Sequence, residues 1–162
     1  QVGSSAASDV YKRQFLNFYG GQLVMEIYQF VFIGLWLILA TIVFQAMVMV
    51  SAHRAEKGYK VGKIDPDLGQ ESFFFRSYRT FWNSLENIIP ILGMITVAIL
   101  AGYSPFKLGI ITWIYAISRI IHMLLYYYIA TEKNPSPRSY FYGFGLIATL
   151  YLLVDLGIFL IF

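Results

Sequence analysis

The chain of 162 residues contains no cysteine. That absence removes any disulfide framework and every protein thiol, so sulfur chemistry here has to use the sulfur of a substrate. Histidine is nearly as scarce. His53 and His122 lie far apart and lack metal-ligand spacing, and there is no His-Glu-x-x-His run and no glycine-rich phosphate loop. Metal and nucleotide chemistry are disfavoured on that ground. Charged residues make up only 13%, and the formal net charge of +3 suggests no nucleic-acid face. The polar and apolar alternation of an outer-membrane strand is missing too, and a closed barrel needs at least about eight strands.

What is present is oil. Hydrophobic residues are 58% of the chain and aromatics 19%, with a mean hydropathy of +0.62, more apolar than a soluble domain of this length can hide. Four runs exceed the roughly 20 residues needed to cross a hydrocarbon core. They predict helices near 25–52, 73–101, 106–131 and 139–162. The fold class expected is an all-α integral membrane protein, a bundle of four transmembrane helices. Residues 1–14, "QVGSSAASDVYKRQ", differ in character. They have no apolar core of a signal peptide, and the string resembles translated sequencing-adaptor sequence. They are expected to be a non-native leader, which leaves 15–162 as a single domain and 15–21 as the tail of a truncated lead-in.

Loop charge sets the expected orientation. Arg54, Lys57, Lys60, Lys63, Lys133 and Arg138 fall in the 1-2 and 3-4 connections, against Lys107 on the other side. Those two loops are expected to be cytoplasmic and both termini to lie opposite. The longest connection, 53–72, is rich in helix-ending residues and is expected to order on assembly.

Polar groups also run through the membrane segments. Arg76, Arg79, Asn83 and Glu86 recur at spacings of 3, 4 and 3, and Tyr115, Arg119, His122 and Tyr126 at 4, 3 and 4, so each set lines one helix face. Counting at 1.5 Å per residue, Glu86 and Arg119 sit at one depth, about 18 Å inside. A salt bridge between them is expected, because an unpaired charge there costs roughly 3 kcal/mol or more. One reading of these stripes is interhelical glue at about 0.6 kcal/mol per hydrogen bond. The other is a ligand path. A line of guanidinium, amide, imidazole and phenol groups suits an anion carrying carboxylates and peptide groups.

The stretch "NSLENIIPILGM", with Arg79 before it, resembles the Arg-x-x-x-Asn-x-x-Glu-Asn-x-x-Pro signature of the MAPEG family, the membrane-associated proteins in eicosanoid and glutathione metabolism. "RIIHMLLY", residues 119–126, is similar to that family's Arg-x-x-His-x-x-x-Tyr, and "PSPRSYFYGFG" to its lead into the fourth helix. The resemblance implies a homotrimer of four-helix subunits with glutathione bound between neighbours, in the half of the membrane that carries the two basic loops. It implies glutathione contacts at Arg79, Asn83, Glu86, Arg119, His122, Tyr126, Arg138, Ser139 and Tyr142, with Arg54 or Lys57 from the first helix. It further implies that Arg138, with Ser139 beside it, holds the glutathione sulfur as thiolate.

Some positions depart from the family pattern. Phe81 stands where a histidine is usual, Trp82 where some relatives have arginine, and Ser84 where many have aspartate. The function expected is a glutathione-dependent transferase or peroxidase acting on lipophilic electrophiles that arrive from the bilayer. The alternatives are a non-catalytic lipid-binding member of the same architecture, and a structural or transport subunit whose stripe is packing or an ion path. Asp155 and Gln45 are read as contacts between helices or subunits, the aromatic runs at 73–75 and 126–128 as an interfacial belt, and Pro90 as a kink that opens space. The two prolines before Arg138 are expected to place it through the backbone.

Overall fold

The computed structural model describes residues 20–162. The expected leader 1–14, and residues 15–19 with it, lie outside the described residues. A helical stretch at 20–27 leads through Tyr28 into the first of four long helices, α1 (Gln29–Ala55), α2 (Phe73–Leu100), α3 (Pro105–Tyr128) and α4 (Pro137–Ile161). Each is long and apolar enough to cross a membrane, and no strand occurs among the described residues. The helices fall within a few residues of the runs expected from hydropathy.

Their ends follow from local chemistry. Two of them begin Ser-Pro, at Ser104-Pro105 and Ser136-Pro137, where proline's missing N–H is no loss and its φ already suits a helix. At α2 the N-cap Ser72 accepts from the Phe75 amide at 3.1 Å. The C-terminus of α2 closes at Gly102, whose φ of +72° lets the Tyr103 amide reach back to the Ala98 carbonyl at 2.9 Å. That tight turn makes α2 and α3 antiparallel neighbours.

The third helix is the centre of the bundle. Of its most apolar 18-residue window 56% is buried, against 22–28% for the other three helices. α1 packs on α2 and α3, and α4 on α3 and α2. The core joins Val31 and Ile38 of α1, Ile91 and Ile95 of α2, Leu108 and Ala116 of α3, and Leu152 and Leu156 of α4. Where α1 crosses α3, small residues allow close approach. A Cβ on Gly34 would come within 2.9 Å of Thr112, and one on Gly109 within 2.6 Å of the Phe30 ring. That ring stacks on Trp113 at 5.3 Å, and the indole N–H donates to the Phe30 carbonyl at 3.0 Å.

Hydrogen bonds lock both ends of the bundle. At one end the Tyr28 hydroxyl donates to the Tyr103 carbonyl at 2.6 Å, while the Tyr103 hydroxyl donates to Asp155 of α4 and Lys107 pairs with the same carboxylate at 3.3 Å. Asp155 is therefore an interhelical contact, as expected. Burial pushes the Tyr103 phenol above its ordinary value, and the Asp155 hydrogen bond acts in the same direction. At the other end Arg76 of α2 donates to the carbonyls of Tyr127, Gln70 and Glu71. Arg76 is thus a staple between α2, α3 and the 56–72 connection. The expectation that this connection orders only on assembly is corrected, because the His53 ring bonds the Lys63 carbonyl at 2.9 Å and Ser72 donates to Glu56 at 2.9 Å within one chain. Gln45 of α1 is fully buried, and its amide makes no hydrogen bond.

Candidate functional site

At the Arg76 end of the bundle, helices α2, α3 and α4 part around a cavity of about 430 Å³. Asn83 of α2, His122 and Tyr126 of α3, and Arg138, Ser139 and Tyr142 of α4 line it, together with Glu132, Lys133, Asn134 and Ser136 of the 129–136 connection. Helical spacing had singled out Asn83, His122 and Tyr126, and the family resemblance Arg138, Ser139 and Tyr142. It missed the four connection residues, which carry no helical periodicity and come to the site only because this segment folds back over it.

Arg119 does not line the cavity itself but lies behind Asn83, which does. Its side chain is buried against Gly145, where a Cβ would sit 3.4 Å from its Cδ, so the glycine leaves the stem its room. One terminal nitrogen donates to Asn83 Oδ1 at 2.6 Å and to Ser84 Oγ at 3.3 Å, and the guanidinium lies 5.9 Å from the Tyr142 ring centre. The expected Glu86–Arg119 salt bridge is not formed, and the single ion pair among the described residues is Lys107–Asp155. The reason is helical phase. α2 buries Ser77, Thr80, Ser84, Ile88 and Ile91, and Arg119 approaches from that side. Glu86 lies two residues past Ser84, about 200° around the helix at 100° per residue. It is exposed on the outer face of the chain, as is Arg79.

The four groups of the α2 stripe part company in the single chain: Asn83 faces the cavity, Arg76 staples the loop, and Arg79 and Glu86 face out. Arg54 is exposed at the far side of the bundle, against α1 and α2, and lines a different hollow with Trp82.

Arg138 stands at the mouth of the cavity. Its guanidinium stacks 4.0 Å from the Tyr126 ring centre and donates to Gln70 Oε1 at 3.1 Å and the Thr131 carbonyl at 2.8 Å. Backbone placement by the prolines is thus joined by side-chain anchoring, which the sequence did not announce. Gln70 arrives from the 56–72 connection, its carbonyl held by Arg76 and its side-chain oxygen by Arg138. Ser139, three residues past the N-cap, accepts from the Ser136 amide at 3.2 Å, so its hydroxyl holds the helix start as well as lining the cavity. His122 is buried, edge-on to Tyr126 at 5.5 Å, and its Nδ1 makes no hydrogen bond.

Four membrane-spanning helices, three of them parting around a polar cavity beside a buried cation that has no carboxylate partner, define a multi-pass integral membrane protein. Residues 30–158 match the MAPEG family, and the chain belongs to it. Membership places it among membrane proteins of glutathione and eicosanoid metabolism. No curated protein and no solved structure matches the chain.

Proposed function

We propose that this protein is a glutathione-dependent transferase or peroxidase acting on lipophilic electrophiles drawn from the bilayer. One observation carries the reading: the buried guanidinium of Arg119 has only neutral acceptors, Asn83 and Ser84, and stands behind a cavity whose mouth is held by Arg138. Burying a cation without a counter-charge is costly. A ligand bearing carboxylates offsets that cost, and a volume of 430 Å³ lies within the range of small-molecule sites.

The residues present fit glutathione. Lys133 suits one of its carboxylates, Glu132 its ammonium, and Asn83, Tyr126 and Tyr142 its peptide groups, with Arg119 behind Asn83 as a further cation and Arg138 left for the sulfur. Bound there, glutathione supplies a sulfur nucleophile that attacks an electrophilic carbon or a peroxide. The protein's task is to keep that sulfur ionised. A free thiol has a pKa near 8.5, which a neighbouring cation depresses. Arg138 is permanently charged and, with part of its five-donor fork already anchored, keeps donors to spare. Ser139 adds a hydroxyl beside it.

The same reading takes the working form to be a homotrimer. Arg79 and Glu86 are exposed on a membrane-spanning helix, where charge against lipid is unfavourable. A neighbouring copy laid on this face brings Arg79, Glu86 and the Arg54 end of α1 toward a site that the single chain leaves open. The test is titration of the detergent-solubilised protein with glutathione while thiolate absorbance is followed. A saturable rise at neutral pH supports the reading, and its absence overturns it.

A further inference from the structure

The Arg138 guanidinium is held on three sides. Its plane lies on the Tyr126 ring at 4.0 Å, one terminal nitrogen donates to the Thr131 carbonyl at 2.8 Å, and the other donates to Gln70 Oε1 at 3.1 Å. Tyr126 and Thr131 come from the end of α3 and the connection that leads into α4. Gln70 comes from the other connection, 68 residues away. A guanidinium carries donors and no acceptor, so the carboxamide has to present its oxygen. Gln70 is itself fixed through its backbone. The Ser72 amide closes a turn on the Gly69 carbonyl at 3.1 Å, and the Gln70 carbonyl accepts from Arg76 of α2. A Cβ on Gly69 would lie 4.0 Å from a carboxylate oxygen of Glu132, so the two connections meet beside the cavity.

What Gln70 supplies is a hook without charge. Every acceptor on Arg138 is neutral, a carboxamide and the backbone carbonyls of Thr131 and Ile129. The charged and titratable groups that share the cavity with it are His122, Tyr126, Glu132, Lys133 and Tyr142. Glu132 is the one carboxylate among them, and it forms no ion pair with Arg138. The tilt of the guanidinium is set by the Tyr126 face, and its rotation within that plane by Gln70 and Thr131. Attraction between a cation and a thiolate falls with distance and with any charge that pairs the cation. A fixed and unpaired guanidinium therefore does more for a sulfur than a mobile or a paired one. An acid at position 70 would hold Arg138 equally well but would cancel its charge and set a second negative group near the sulfur.

We propose that Gln70 is a positioning residue for the thiolate chemistry: it aims the Arg138 guanidinium at the glutathione sulfur while leaving its charge unneutralised. This role rests on the glutathione reading of the 430 Å³ cavity and adds to it the residue that orients its sulfur-holding cation. Ionisation of the bound thiol gives one proton to water. Gln70 acts on that equilibrium only through Arg138.

The experiment uses the full chain in a neutral detergent and follows the absorbance of bound glutathione thiolate across pH. Gln70→Glu is expected to raise the pKa of the bound thiol, so that at a pH well below it the thiolate falls about tenfold. The rate with chlorodinitrobenzene or cumene hydroperoxide, whichever wild type turns over, should fall only about threefold there, because the more basic sulfur is the better nucleophile. At alkaline pH it should regain the wild-type level. Gln70→Leu removes the hook without adding charge, and should move the thiol pKa the same way by less while glutathione affinity stays close to wild type. A thiol pKa unmoved in both variants overturns the proposal, since a glutamine that only braced the loop would alter melting temperature or affinity alone. A double-mutant cycle of Gln70→Leu with Arg138→Leu, on the melting temperature of the ligand-free protein, reads the contact itself. Non-additive losses are expected, and additive ones overturn the positioning. An absent thiolate signal in wild type overturns the glutathione reading and with it the aim at sulfur, whereas additive losses with that signal present overturn the role of Gln70 alone.

Discussion

At the scale of single residues, position 84 decides the charge of the interior. The MAPEG resemblance leads one to expect an acid there, and a carboxylate at that place would face Arg119, which Ser84 now contacts at 3.3 Å. Serine accepts the hydrogen bond but leaves the positive charge for a ligand. Ser84→Asp is therefore expected to weaken glutathione binding by about tenfold or more, since an adjacent opposite charge is worth several kcal/mol at intermediate dielectric. Isothermal titration of the solubilised variant checks it, and undiminished affinity would show that Arg119 is not part of the anion site. Arg138 admits a sharper test. If it holds the sulfur as thiolate, Arg138→Ala should lower turnover about a hundredfold and raise the thiol pKa toward 8.5, while glutathione still binds through Asn83 and Tyr126. Arg138→Lys keeps the charge but not the planar fork that lies on Tyr126 and reaches Gln70. It should recover only part of the rate, whereas full recovery would mark Arg138 as a plain membrane-surface anchor.

At the scale of elements, the α1–α3 crossing rests on Gly34 and Gly109 rather than on large side chains. Without a hydrophobic drive between helices in lipid, close packing of small residues is what associates them. Gly34→Leu is expected to destabilise the fold by about 1–3 kcal/mol, the usual range for overpacking, seen as a lower melting temperature in detergent. Gly93, with open space around its Cβ position, provides the control: Gly93→Ala should melt as wild type does. The turn after α2 behaves differently. Tyr103→Phe removes the hydroxyl that donates to Asp155 but keeps the carbonyl that accepts from Tyr28, so the expected loss is about 1 kcal/mol.

At the scale of the whole molecule, the outward Arg79 and Glu86 are the feature that a single chain does not explain. In the proposed trimer they are covered by a neighbour. Glu86→Gln is then expected to leave helix content unchanged and to shift the assembly toward monomer, measured by light scattering in mild detergent. If wild type is already a monodisperse monomer, the trimer is wrong, and the exposed charges must instead be met by lipid headgroups.

Hydropathy alone was enough to place four membrane helices, because burial in lipid demands long apolar runs and the backbone's own hydrogen bonds leave no other form. Helical spacing likewise brought Asn83, His122 and Tyr126 to attention, since residues three or four apart share a face whatever the helix packs against, whereas Tyr142 came only from the family resemblance. Spacing gives the stripe but not the direction in which it faces. Rotation of α2 about its axis is set by what it buries against α1, α3 and α4, and that rotation turned Glu86 outward and gave Arg119 to Asn83 and Ser84. Contacts made through loops were illegible for a related reason. Gln70 and Arg138 are 68 residues apart, and Glu132 to Ser136 have no period to betray them. Only the fold of the two connections, fixed by caps, staples and stacked rings at the helix ends, brings these groups to the cavity.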